Sequence, residues 1–394
     1  MAVVGGGIGG LTAALSLFRA GFDVNVYERA AELAEVGAGV QISPNASRVL
    51  HGLGLAGELA RSGVKPLAWH QRRWEDGRTL LRTPLAEPLE ETFGFPHYQM
   101  HRADLLAALA SAVPPERVHL RHRLTDVIDH GDRVEARFAN GARVDADVLV
   151  GADGIHSAVR GVLFGSDDAR FTGCAAFRGL VPAQRLRELE LEVTAQVWMG
   201  PGRHFVHYFV SQRRLVNFVA VIEQDSWTGE SWTDRGEVAV ALAAFEGWHP
   251  QVRTILGSVD ETFIWALFDR PPLERWSVGR ITLLGDACHP MLPFMAQGAA
   301  QAIEDGATLT ACLAELDPDI PSALQRYEQL RLPRASRLQA LSTVNKTRFH
   351  LPDGAQQRER DTQMATQATD WSFDAVAWIY QHDATAVDLN PTSG

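Results

Sequence analysis

The chain has 394 residues, 46% hydrophobic and 22% charged, a composition that fits a globular protein with a sizeable core and room for two domains. A formal net charge of −11 argues against nucleic-acid binding, which needs a basic surface to neutralise phosphates. Cys174, Cys288 and Cys312 lack CxxC spacing, which speaks against a disulfide framework or a structural zinc site and for the cytoplasm. No basic-then-apolar leader and no run of about 20 apolar residues is found, so neither a signal peptide nor a membrane span is expected.

The chain opens on "AVV", an apolar strand so short that a few leading residues are expected to be missing from this numbering. Gly5, Gly7 and Gly10 then spell G-x-G-x-x-G, and "LTAALSLFRAG" has helical composition up to a C-cap at Gly21. "DVNVYE" alternates as a second strand and ends on Glu28. Strand, glycine turn, helix, strand and terminal acid within about 30 residues make the dinucleotide-binding fingerprint in its required context. The glycines let the backbone approach a pyrophosphate at a helix N-terminus. Glu28 would accept hydrogen bonds from the ribose of an ADP moiety and would repel a 2′-phosphate. Gly52, Gly54 and Gly57 repeat the same spacing, but they follow a helical stretch and precede no strand–acid pair, so a helix-ending turn is expected there.

Residues 67 to 100 are strand-like, with a turn at Asp76-Gly77, and "HRADLLAALASAV" (101–113) is helical. A β-meander is expected from 127, with turns at Gly131 and Gly141, leading into the strand "ADVLVGADG". Residues 171 to 268 are rich in strands and read as a second domain, with 185–192 as a solvated helix face. "ITLLGDACHP" is a further buried strand, followed by a helix over 298–316 and a more polar tail from 346. The loops "GADGIHSAVR" (151–160) and "GDACHPMLPFMAQGAAQAIED" (285–305) both leave apolar strands, so three strand–loop–helix junctions can converge on one long ligand. Asp286 could bind a polyol, and Gly298 and Ala299 could offer helix N-terminal N–H groups to an anion.

These motifs, in the order "VVGGGIGG … YE", "HRADL", "GADGIHSAVR", "GDACHPMLPFMAQGAAQAIED", resemble the single-component FAD-dependent aromatic hydroxylases. The resemblance is to the branch of salicylate hydroxylase, 3-hydroxybenzoate 6-hydroxylase and 6-hydroxynicotinate 3-monooxygenase. It implies an α/β fold: a doubly wound, Rossmann-like FAD-binding domain of the glutathione-reductase type over 1–70, 96–170 and 270–345. A β-rich substrate domain over 71–95 and 171–269 and a helical tail over 346–394 complete it.

The resemblance also implies roles. Gly5, Gly7, Gly10 and Glu28, with Arg29 alongside, hold the ADP half of FAD, and Arg102 contacts its phosphates or ribityl chain. Asp153 with Gly154 touches the pyrophosphate indirectly and bears on NADH or NADPH binding. Asp286 binds the ribityl chain, Pro290 lines the flavin, and the Gly298 and Ala299 amides face its N1 and O2. His204 matches a substrate-site histidine and a candidate base, and Tyr208 a tyrosine of the hydroxynicotinate enzymes. Gln41 and Phe294 stand where those enzymes carry histidines, which puts hydroxynicotinate in doubt. Trp198, Phe205 and Trp265 are further aromatic candidates for the pocket.

The implied reaction uses NADH or NADPH as a transient reductant and O2, through a flavin C4a-hydroperoxide, on a phenolic aromatic carboxylate. Salicylate comes first, then 3-hydroxybenzoate or 6-hydroxynicotinate. A general base with a pKa near neutrality suits removal of the phenol proton, which makes the ring ortho and para carbons more nucleophilic, and His204 is of the right type. The rivals are an NAD-dependent dehydrogenase, which leaves the two later loops unexplained, and a non-catalytic FAD-binding protein. A homodimer is one assembly compatible with this reading.

Overall fold

Ala2–Val4 lies inside a six-stranded sheet with the order 277–278, 281–283, 149–151, 2–4, 25–27, 118–119. The structure, a computed structural model, describes residues 1–33, 38–165, 169–227, 235–366 and 372–386. Every pairing in this sheet is parallel except that of Ser277–Val278 with its neighbour. Val3 stands opposite Val150 on one side and Val26 on the other. All three are fully buried, and of their strands the two buried along their whole length, Ala2–Val4 and Leu149–Gly151, read as apolar runs rather than as alternation.

Two helices pack together beside this sheet, Ile8–Arg19 and Gly298–Glu315. A Cβ on Gly9 would stand 3.0 Å from the Ala302 Cβ, and one on Gly306 would stand 2.9 Å from the Ala13 nitrogen. Contacts at 9 with 302 and at 13 with 306 mean that the helices run parallel, with both N-termini at one end. That end is where strands Ala2–Val4 and Ile281–Leu283 finish.

The expected meander is a three-stranded antiparallel sheet of Leu124–Asp129, Val134–Phe138 and Arg143–Ala146. Gly131 and Gly141 turn it with φ of +90° and +86°. The second G-x-G-x-x-G is the turn between helices Pro44–Gly52 and Ala56–Ser62, with Gly54 at φ +73°. Residues 183–189 form a 3-10 helix.

The larger sheet has eight strands, in the order 235–236, 262–269, 170–182, 215–223, 203–210, 195–200, 68–73, 79–84. Side chains alternate across it. Trp198, Phe205 and Phe218 point to one face and pack with Phe245 and Trp248 under helices Val238–Ala244 and Pro250–Gly257. The register places Gln71, Val197 and Val206 on one row of the other face, with Met199 and His204 on the next. A short pair, Gly39–Ile42 with Tyr98–His101, and the long helix Ile320–Phe349 close over that second face. Helices Ala355–Ala365 and Phe373–Tyr380 follow.

Candidate active site

The glycine loop meets the loop after Leu149–Gly151 at close range. A Cβ on Gly5, which has φ +113°, would stand 2.3 Å from the Ala152 carbonyl oxygen, and one on Gly10 2.0 Å from the Gly5 oxygen. Both positions therefore exclude any side chain. Gly7 differs: a Cβ there would meet nothing within 4 Å, so the space before the Ile8–Arg19 helix is open to a ligand. Glu28 lies across the same loop. Its carboxylate accepts from the Gly6 N–H at 2.7 Å and from the Ala30 N–H at 2.7 Å. Arg29 beside it is exposed. Gly298 is similarly open, with only Met291 at 3.8 Å from where a Cβ would lie. Two parallel helix N-termini, an acid at a strand end and a backbone cradle with no side chain in the way fit the anionic and polyol parts of FAD.

Asp286 is exposed between the buried Gly285 and Ala287, on a 3-10 turn at the end of strand Ile281–Leu283. Pro290 is buried, and its carbonyl accepts from Gln339 Nε2 at 2.9 Å, which ties the loop to the long helix. Arg102 opens the helix Arg102–Ala112, and its N–H donates to the Ala38 carbonyl at 2.8 Å. Asp153 is committed locally. Its carboxylate accepts from Ser157 Oγ and from the Ala158 N–H at 2.7 Å, capping the helix Ala158–Phe164. Burial raises its carboxyl above the ordinary range, with these hydrogen bonds opposing. Any influence of Asp153 on a cofactor thus passes through the loop it holds.

A second cavity, about 400 Å³ including its open mouth, lies against the second face of the large sheet. Gln41, Gln71, Val197, His204, Val206 and Phe294 line it, with Trp69, Phe349 and the Pro293–Ala296 turn. The sequence-predicted His204, Gln41 and Phe294 therefore meet in one pocket. Tyr208 does not join them: it is two places beyond Val206 on the same face, its ring against Gly39. Burial pushes its phenol up, so it stays protonated. Trp198 and Phe205 face the opposite core, as does His207, and Trp265 is not among the lining residues.

His204 is 2% exposed, edge-on to Phe294 and Phe349 with ring centroids at 5.0 and 5.3 Å. Its Nδ1 lies 2.7 Å from Nε2 of His350, whose Nδ1 lies 3.0 Å from Oε1 of Glu223. The Glu223 carboxylate only accepts, so His350 carries its proton on Nδ1. His350 Nε2 then accepts from His204 Nδ1–H, and His204 Nε2 is left with a lone pair toward the pocket. Burial, and then His350, hold the His204 pKa well below the usual histidine value, so the ring is neutral.

Gln41 is fixed in a similar way. Buried His97, lowered to about 4 by desolvation, sits with Nε2 3.2 Å from Gln41 Oε1. The neutral ring donates there, so Gln41 presents its NH2 group as a donor. Gln71 Oε1 is buried with no hydrogen-bond partner. No Lys or Arg is among the lining residues.

His350, Glu223 and Gln71 carried no signal in the sequence. His350 is 146 residues from His204 and 127 from Glu223. Between helices Gly298–Glu315 and Ile320–Phe349 lies another group the sequence concealed. Arg331 Nε donates to Asp305 at 2.7 Å and also pairs with Glu304, and Arg334 Nε donates to Glu304 at 2.8 Å. Asp305 in turn accepts from the Gly285 N–H at 3.0 Å and pairs with His289 at 2.6 Å.

A dinucleotide cradle beside a ring-sized pocket that holds a neutral histidine is the arrangement of a flavin-dependent aromatic-ring monooxygenase. The FAD binding domain family model matches residues 1–342, and the chain belongs to this family. It is 46% identical over 387 residues to the 3-amino-4-hydroxybenzoate 2-monooxygenase PtmB3 of Streptomyces platensis, covering 98% of this chain and 97% of that one. It is 38% identical over 349 residues to the 6-hydroxynicotinate 3-monooxygenase of Bordetella bronchiseptica, covering 88% and 91%. Among solved structures, a salicylate hydroxylase substrate complex matches with a TM-score of 0.83 at 28% identity, covering 97% and 95%. The FAD cofactor and the ring-hydroxylase class read from the motifs hold. Among the described residues, no helix is long and apolar enough to cross a membrane.

Proposed function

We propose that the protein hydroxylates a single-ring aromatic acid bearing adjacent amino and hydroxyl groups, with 3-amino-4-hydroxybenzoate first, using NADH or NADPH and O2. The observation that carries this reading is the polar inventory of the pocket. Its lining carries two acceptors, His204 Nε2 and Gln71 Oε1, and the amide N–H donors of Gln41 and Gln71, within apolar walls. Two adjacent ring donors satisfy both acceptors, and the Gln41 amide suits a carboxylate oxygen. Salicylate, the first expectation from the sequence, brings one ring donor and leaves an acceptor unmet. The 46% identity to an enzyme named for 3-amino-4-hydroxybenzoate supports the same choice.

FAD, when bound, supplies the oxygen-transfer chemistry. Gly7, Glu28 and Asp286 would hold its ADP and ribityl parts, and the helix N-terminus at Gly298 would favour negative charge on its ring. Phe294, Phe349, Val197 and Val206 exclude water from the reacting ring. His204 takes the hydrogen of the ring O–H or N–H conjugated with the attacked carbon, which enriches that carbon in electrons. Gln71 receives the second donor and fixes the ring's rotation.

The test is NADH and NADPH oxidation by the purified protein with 3-amino-4-hydroxybenzoate, 4-hydroxybenzoate, salicylate, 3-hydroxybenzoate or 6-hydroxynicotinate, with the products identified. An unmet buried acceptor costs about 1–3 kcal/mol, so the amino-bearing ring is expected to exceed 4-hydroxybenzoate in kcat/KM by roughly 10- to 100-fold. Gln71→Leu is expected to erase most of that preference. Equal use of the two rings by the wild type would refute the assignment of Gln71, and hydroxylation of salicylate alone would return the substrate to the first expectation.

A further inference from the structure

We infer that His204, His350 and Glu223 form a proton relay that carries the substrate's ring proton out of the pocket to solvent. The inference rests on the reading above, in which a ring donor meets His204. The three groups form an unbroken chain with steps of 2.7 and 3.0 Å, starting at the pocket wall. It ends at the surface, since the His350 side chain is 1% exposed and that of Glu223 48%.

A lone buried histidine would be a poor base here. Holding the proton as imidazolium would put a charge among Phe294, Phe349 and Val206, which burial penalises. The cations facing His350, Lys346 and Arg203, oppose a charge on the second ring as well. Both are held by carbonyls instead of joining the chain, Lys346 by Thr172 at 2.6 Å and Arg203 by Ala244. Passing the proton along removes the difficulty. The ring O–H or N–H bond breaks as an N–H bond forms at His204 Nε2. The Nδ1 proton of His204 moves to His350 Nε2, and the Nδ1 proton of His350 moves to the Glu223 carboxylate, which exchanges with water. Neither imidazole carries a net charge at the end, and each has exchanged one tautomer for the other. Return of a proton to the product through the same chain, in reverse, resets both rings.

The backbone holds the chain in line. His350 caps the long helix, its carbonyl accepts from the Gly202 N–H at 3.0 Å, and the Glu223 N–H donates to the Gly202 carbonyl at 2.9 Å. The first residues of the C-terminal tail thereby enter the substrate site.

Holoenzyme labelled with 15N-histidine reads the tautomers without substrate. His204 and His350 are expected as neutral rings protonated on Nδ1, and Glu223→Gln is expected to lose the fixed pattern at His350. A proton on His204 Nε2, or an imidazolium at either ring at neutral pH, overturns the relay. In turnover with 3-amino-4-hydroxybenzoate, E223Q is expected to keep FAD and substrate binding. It should form hydroxylated product about tenfold or more slowly, with an altered solvent deuterium isotope effect, and Glu223→Asp should restore most of the rate. Wild-type rate and isotope effect in E223Q also overturn the relay, and because Glu223 is half exposed this variant is expected to fold. His350→Gln is the internal check, with the same loss expected. If no ring acid stimulates NADH oxidation, the substrate reading has failed instead, and the tautomers alone decide the relay.

Discussion

A methyl group would have opposite fates at Gly7 and Gly10. At Gly10 it would lie 2.0 Å from the Gly5 carbonyl oxygen, so Gly10→Ala must break the turn that starts the fold. At Gly7 it would enter open space. Gly7→Ala is therefore expected to keep the unfolding free energy of the apoprotein within about 1 kcal/mol of wild type. Its FAD affinity should fall by about tenfold or more, because the methyl occupies the line of approach of the pyrophosphate. Fluorescence titration with FAD and thermal melting of both apoproteins check the contrast; a Gly7→Ala protein that binds FAD like wild type would remove the cradle from this loop. The loop that brings Gly5, Gly7, Gly10 and Glu28 together was legible because its geometry is local: strand, turn, helix and strand follow within 28 residues. Asp153 shows the limit of such reading. A D-G motif in the right order gives the loop, and only the coordinates reveal that the carboxylate is occupied by its own helix.

The helix Gly298–Glu315 is locked by charges rather than by apolar packing alone. Burial would raise the Glu304 carboxyl, but Arg331 and Arg334 outweigh it and hold it far below the carboxylate range. Asp305 is likewise lowered, burial being outweighed by His289 and Arg331. Arg334 reaches on to the Trp378 and Ile379 carbonyls at 2.7 and 2.8 Å, so the same cluster ties the tail helix to the helix Gly298–Glu315. Removing one partner of such a buried set costs about 3–5 kcal/mol. Arg331→Met is expected to lower stability by that order in denaturant melts, and to weaken FAD binding because Asp305 also holds the Gly285 N–H. Unchanged stability would mean that Arg334 and His289 neutralise the two acids by themselves. The helix and its glycine start were plain from composition. The cluster was not, since the arginine partners of Glu304 and Asp305 lie on the long helix, 26 to 30 residues on.

Taken whole, the molecule buries several neutral histidines, and this sets how it answers acid. Desolvation lowers His97 to about 4 from an ordinary value near 6.5, and His204 and His207 are pushed the same way. With the folded pKa below the unfolded one, the stabilisation is complete above about pH 6.5 and is lost as pH falls toward 4, because only the unfolded chain takes up the proton. For His97 alone that loss is on the order of 3 kcal/mol. Melting temperature should therefore drop steeply between pH 6.5 and 4, and His97→Gln should flatten part of the drop; a flat profile in the wild type would contradict neutral burial. The large sheet was foreseen as β-rich, but which face of each strand looks into the pocket depended on register, and register is set by partners far away in sequence. The smaller sheet raises a different matter, that of order in time. Strand 2–4 is flanked by strands 25–27 and 149–151, and 149–151 in turn by 281–283, with the second helix N-terminus at 298. On the ribosome strand 2–4 waits for more than 270 further residues before its sheet can close. The glycine loop becomes half of a nucleotide cradle only when residue 298 has been made, so cofactor loading follows synthesis of that helix start.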